Sequence, residues 1–150
     1  MKSFSLRKIF IGAAFMVALL FFSNQTANTV EAGYEISLLN EINNERLSAG
    51  LSALKYSSKM ELGADVRAEE ASKVWSHTRP DGSDYYTADS TLIYGENLYK
   101  GSTSDKASVV SCWMASPTHK DNILFRDYKT CSVGVYEEGG MTYIALEFGY

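Results

Sequence analysis

Residues 131–148 read Cys131-Ser132-Val133-Gly134-Val135-Tyr136-Glu137-Glu138-Gly139-Gly140-Met141-Thr142-Tyr143-Ile144-Ala145-Leu146-Glu147-Phe148. Two runs rich in β-branched, aromatic and aliphatic residues are parted by Glu138-Gly139-Gly140, a turn composition. In the second run Thr142, Ile144, Leu146 and Phe148 share one face, and Met141, Tyr143, Ala145 and Glu147 share the other. This period of two predicts a β-hairpin, Cys131–Glu137 paired with Met141–Phe148.

Most of the chain before the hairpin carries the helical period instead. Ile36, Leu39, Ile42 and Leu47 predict a helix over Tyr34–Ala49, stopped by Gly50. Ser58-Lys59-Met60-Glu61 matches a capping box and predicts a second helix running to about Trp75. Its Met60, Ala64, Ala68 or Ala71, and Trp75 share a face, which reads as packing without chemistry. Ser76–Ser83 is a polar loop in which Pro80-Asp81-Gly82 supplies a turn. Gly95–Tyr99 reads as a short strand. A third helix, with Ser102–Ser104 as caps, ends near Ala115, where Ser116-Pro117 breaks it before a further turn over Thr118–Leu124. Helices come first and the hairpin last, so the fold class is α+β.

The N-terminus has a different composition. Lys2, Arg7 and Lys8 precede an uncharged run from Ile9 to Phe22, which is too short to span a bilayer and suits a signal-peptide core. Val30-Glu31-Ala32 places small residues for cleavage after Ala32, and Ala27 offers an earlier cut. The expectation is a signal peptide over 1–32, a mature domain over 33–150, secretion, and no stable membrane anchor after cleavage.

The leader holds three of the 14 basic residues and one of the 18 acidic ones, so residues 33–150 carry a formal charge of −6. That balance excludes the basic surface that nucleic acid requires. With 45% hydrophobic and 21% charged residues, the chain is not a disordered polymer. Its two cysteines, Cys112 and Cys131, both fall in the secreted part. A disulfide between them is expected in an oxidising space, enclosing 18 residues. In the chain-entropy model it would add about 3 kcal/mol. Reduced thiols and an intermolecular bond are the alternatives.

Two histidines exist, His77 and His119, each in a polar segment beside a proline and near an aspartate. Loop histidines are mostly solvated surface residues. Glu96 sits among apolar neighbours on the predicted strand, either as an edge charge or as a partly buried group with a partner. If His77, Glu96 and His119 converged they would form an open zinc-like site, although their spacing matches no local metal motif. A Ser116–His119 hydrolase lacks a nucleophile-elbow motif.

Taken in order, these motifs are no longer independent. Asn44-Glu45-Arg46-Leu47 with Gly50-Leu51 and Leu54, Ser76–Ser83, Gly95-Glu96-Asn97-Leu98, Trp113–Leu124, Ser132-Val133-Gly134-Val135 and Phe148-Gly149 form a set. Over about residues 36–150 the chain resembles the CAP superfamily of SCP-like domains, with wording most similar to the bacterial extracellular branch. The resemblance implies a three-layer α-β-α sandwich with a small antiparallel sheet and an open cleft. It places His77, Glu96 and His119 in that cleft as ligands of Zn2+ or another divalent cation, with Ser116 and Asn97 as neighbours. A second cleft acid found in the animal branch has no counterpart at Met114, Ala115 or Ser116. The implied role is binding of a cation, or of a small, lipid, cell-envelope or host-derived ligand. The alternatives are a metal-assisted hydrolase or protease, and an interaction domain with a vestigial cleft.

Overall fold

The structure, a computed structural model, describes residues 33–150. The expected signal peptide over 1–32 and both cleavage positions lie outside the described residues. The elements are α1 (33–48), β1 (Lys55–Tyr56), α2 (Glu61–Lys73), a 3-10 turn (Tyr85–Ala88), β2 (Gly95–Gly101), α3 (Lys106–Ala115), α4 (Pro117–Ile123), β3 (Thr130–Glu138) and β4 (Met141–Gly149). Among the described residues, no helix is long and apolar enough to cross a membrane.

The predicted hairpin forms as β3 and β4, in register from Thr130↔Gly149 to Glu138↔Met141. Gly139 and Gly140 turn it with φ of 59° and 75°, the pair of positive values that a tight hairpin demands. The predicted short strand is β2, antiparallel to β4. β1 adds a two-residue parallel edge to β3, so the sheet order is β1-β3-β4-β2. The sheet is therefore mixed, not purely antiparallel.

Strand alternation divides the sheet into two faces. Glu96, Leu98, Glu147, Ala145, Ser132 and Gly134 occupy one, and α2 covers it. Ala68 and Ala71 of α2 pack there with Leu98 and Ala145. Gly134 permits the close approach, since a side chain at that position would collide with the backbone of Ala64 and Asp65. Asn97, Leu146, Val133 and Cys131 belong to the opposite face, against which α3 and α4 lie. With α1 carrying Arg46 to Cys131 and the end of α4, this is the expected α-β-α layering.

Several local expectations shift. The buried side of α1 is Leu38, Leu39, Ile42 and Arg46, while Ile36 and Leu47 are exposed. Arg46 is satisfied there by backbone carbonyls of Ser52, Ile123, Phe125 and Tyr128. The capping box at Ser58 does not form: Met60 precedes α2 without a side-chain cap, and the helix stops at Lys73, leaving Trp75 exposed. Asp105, not Ser102–Ser104, caps α3 by accepting from the Ser108 N–H.

The expected disulfide is absent. Cys112 is an exposed free thiol and Cys131 a buried one. Cys112 lies near Tyr99, which pairs with Ile144, whereas Cys131 pairs with Phe148. Those rows are separated by about 13 Å along β4. A bridge needs Cα atoms within about 7 Å.

Candidate functional site

Glu96 lies near the start of β2 with its side chain fully buried against α2. A carboxylate is stable in such a place only with partners. Arg67 supplies a fork: Nε donates to Oε2 at 2.7 Å and Nη2 to Oε1 at 3.2 Å. The same guanidinium donates to Glu70 Oε2 and to the Ser76 carbonyl, each at 2.8 Å. Glu70 in turn accepts from Arg79, whose Nη1 reaches Thr87 Oγ1. One buried cation thus fixes the carboxylate, the residue before His77, and the loop that carries His77.

His77 completes the cluster. Its Nδ1 is 2.7 Å from Glu96 Oε1, while its side chain is 55% exposed. Facing a carboxylate, Nδ1 carries the proton, so the neutral ring presents its Nε2 lone pair outward. Tyr85 meets the ring edge-on, with centroids 6.3 Å apart.

Directly across the strand pair from Glu96 is Glu147. It is completely buried, and among the described residues no donor reaches either of its oxygens. The group it faces is another carboxyl, and a hydrogen bond between two carboxyls exists only when one holds a proton. Burial, then the Glu96 charge, push Glu147 well above the carboxylate range, so Glu147 is that one. Burial also opposes the Glu96 charge, but hydrogen bonds from His77, Arg67 and Glu147 outweigh it and hold Glu96 below the usual value.

His119 stands on α4 and is half-buried. Burial, and secondarily the charge of His77, lower its pKa below the ordinary imidazole value. Asn97, on the opposite sheet face, is wholly buried. It donates to the His119 carbonyl at 2.9 Å and accepts from Asn122, which also donates to the Glu96 carbonyl. Asn97 is therefore a brace under α4 and has no ligand-facing side chain. Ser116 precedes α4, and its hydroxyl is 3.5 Å from Thr118 Oγ1. No bond joins it to the histidine cluster among the described residues.

The three-ligand set His77, Glu96 and His119 does not fit a metal centre as arranged. Among the described residues no group of three His, Cys, Asp or Glu side chains is placed to hold an ion. Glu96 has both oxygens committed to protein donors and stands behind His77 as its orienting partner. Arg67 and Glu147 were not among the expected site residues. Each had a sequence signal: a charge inside the alanine stripe of α2, and a charge on an otherwise apolar strand face.

Residues 39–148 match the model of the cysteine-rich secretory protein family, CAP. The chain belongs to the CAP family. No curated protein matches it. Several solved structures share the fold at low identity. An extracellular SCP-domain protein of Bacillus anthracis superposes with TM-score 0.64 at 18% identity, over 79% of this chain and 40% of that one. A cysteine-rich secretory protein of Staphylococcus aureus gives 0.54 at 18%, over 77% and 38%. An outer surface protein of Borrelia burgdorferi gives 0.59 at 21%, over 75% and 88%. The CAP domain here thus spans well under half of the first and second of these proteins and most of the third.

Proposed function

We propose that this CAP domain is a secreted, extracellular ligand-binding module whose recognition element is the outer edge of His77 together with His119. The carrying observation is the 2.7 Å bond from His77 Nδ1 to a carboxylate that Arg67 clamps from behind. This bond fixes the ring's orientation and tautomer before any ligand arrives, and preorganisation of that kind lowers the cost of binding. The ligand class is one that donates to, or coordinates, a bare imidazole nitrogen: a polar group on a small, lipid-like or cell-envelope molecule, or a divalent cation. For a cation, His77 and His119 are the ligands and Glu96 is the carboxylate behind the first imidazole, an arrangement that raises ligand basicity.

Titration of the domain with Zn2+ while following both imidazoles by NMR tests this reading. Coupled, saturable shifts of His77 and His119 support it, and loss of the remaining imidazole's shift in either His77→Ala or His119→Ala completes the support. Independent shifts, or none, leave the interaction-domain alternative in its place. A second reading is favoured by the same carboxylate–imidazole pair, because an imidazole so oriented is also a general base for hydrolysis. It requires turnover of an ester or peptide that the Glu96→Gln and His77→Ala variants lose. Activity restored by zinc after chelation would make it metal-assisted.

A further inference from the structure

Glu147 stands in the middle of a polar row across the sheet, with Ser132 of β3 on one side and Glu96 of β2 on the other. All three residues are buried. Among the described residues no donor reaches either Glu147 oxygen, the Ser132 hydroxyl included. The charges around the row are already balanced. Arg67 pairs with Glu96 and Glu70, and Arg79 pairs with Glu70, so two cations face two carboxylates. A neutral His77 adds no charge to that set. The buried side of α2 brings Gly63, Ala64, Arg67, Ala68 and Ala71, so Arg67 is the charge that this helix supplies. Tyr85 of the 3-10 turn senses both carboxyls but gives its hydroxyl to the Tyr94 carbonyl. A carboxylate at Glu147 would thus be buried beside another carboxylate with neither cation nor donor, which is the costliest state for such a group. A carboxylic acid there has a proton to donate, and Glu96 is the acceptor it faces.

We infer that Glu147 is a positioning residue of the His77 edge: as a carboxylic acid it donates to Glu96, and through Glu96 it sets the strength of the bond that orients His77. Glu96 already accepts from Arg67 Nε and Nη2 and from His77 Nδ1. Each donor draws charge from the carboxylate and weakens its pull on the others. The proton of Glu147 therefore tempers the pull of Glu96 on His77 Nδ1–H. The imidazole keeps that proton, and its outward Nε2 is a less strong base than a carboxylate-backed ring would otherwise be. Glu147 touches no ligand and acts one residue removed from the imidazole. This role deepens the reading of His77 as the recognition element and rests on it for its functional meaning. The chemistry between Glu147 and Glu96 does not depend on any ligand.

The test compares the parent with Glu147→Gln, which keeps a donor toward Glu96, and Glu147→Met, which keeps an unbranched side chain but has no donor. The readout is the His77 Nδ1 proton resonance, recorded where the ring is neutral. Loss of the donor strengthens the bond to Glu96, so this resonance moves downfield in Glu147→Met. In Glu147→Gln it stays closer to the parent than to the methionine variant. Circular dichroism checks that each variant is folded. A role in packing alone moves the resonance in neither variant, and that result overturns the proposal, as do equal moves in both. An upfield move in Glu147→Gln shows that the parent residue is ionised and overturns it too. If Glu147→Met does not fold, the infrared difference between the parent and Glu147→Gln at neutral pH decides. A protonated-carboxyl band present in the parent and lost in the variant supports the proposal, and no such band overturns it. Zn2+ titration of the parent tests the edge separately. If neither imidazole responds, the cation reading fails, while the Nδ1 resonance still reports on Glu147.

Discussion

Arg67 on α2 holds Glu96 on β2 with two hydrogen bonds, of 2.7 and 3.2 Å, and neither side chain is exposed to water. The pair joins the helix layer to the sheet at the point where His77 approaches. Removing one partner of a buried ion pair leaves the other charge uncompensated.

Arg67→Met is therefore expected to cost about 3–5 kcal/mol of stability in urea denaturation. Arg67→Lys restores the charge but not the fork, and falls between the two. A loss below about 1 kcal/mol in the methionine variant would show that the fork is not holding Glu96.

The two facing carboxyls give opposite pH dependences. Glu96 is depressed in the folded state, so its contribution is present above the unfolded carboxylate value and is lost as pH falls through the folded one. Glu147 is raised, so its contribution is complete below the ordinary value of 4.5 and is lost as pH rises toward its folded value. Glu147→Gln removes only the second effect and keeps a donor toward Glu96. Its stability relative to the parent should rise from about pH 4 to neutrality, measured as denaturation midpoints across pH. A constant difference would mean that Glu147 is ionised in the folded protein.

The cysteines should behave as two unlike thiols. Cys112 is open to solvent, whereas Cys131 is buried and its thiol is pushed up to about 12, mainly by burial. A thiol reagent should titrate one equivalent in the native protein and the second only on unfolding. Reductant should leave the melting temperature unchanged. Failure to titrate either thiol in denaturant would restore the bridge.

Gly134→Ala tests the packing of α2 on the sheet. The added methyl would meet the backbone of Ala64 and Asp65, which cannot rotate away as a flexible side chain can. Overpacking of this kind typically costs about 1–3 kcal/mol. Thermal or urea denaturation reads it, and a neutral result would mean that α2 can lift from the sheet.

What was legible in the sequence was whatever a repeating pattern encodes. The hairpin followed from strict alternation and a Gly-Gly turn, and the helices from their apolar periods. The layered class followed from resemblance, and of the three residues that the resemblance named together, His77 and Glu96 are in contact. What was not legible depends on distances between elements. Arg67 is one charge on an alanine-rich helix, and only the packing of that helix on β2 brings Glu96 against it. Alternation puts Glu147 on a face with Met141, Tyr143 and Ala145, but only the register sets it opposite Glu96. Asn97 was expected near the ligand, but alternation turns it to the other face of the sheet. The cysteine pair was plausible from compartment alone, and in the structure both thiols stand free, one exposed and one buried.

Glu96, clamped by Arg67, sets the proton of His77 on Nδ1 and leaves Nε2 bare. Long-range proton–nitrogen correlation spectra of the imidazoles, recorded where His77 is neutral, read this directly. The Nδ1–H tautomer is expected for His77 in the parent, with that preference lost in Glu96→Gln. An Nε2–H tautomer in the parent, or a tautomer unaffected by Glu96→Gln, would contradict it.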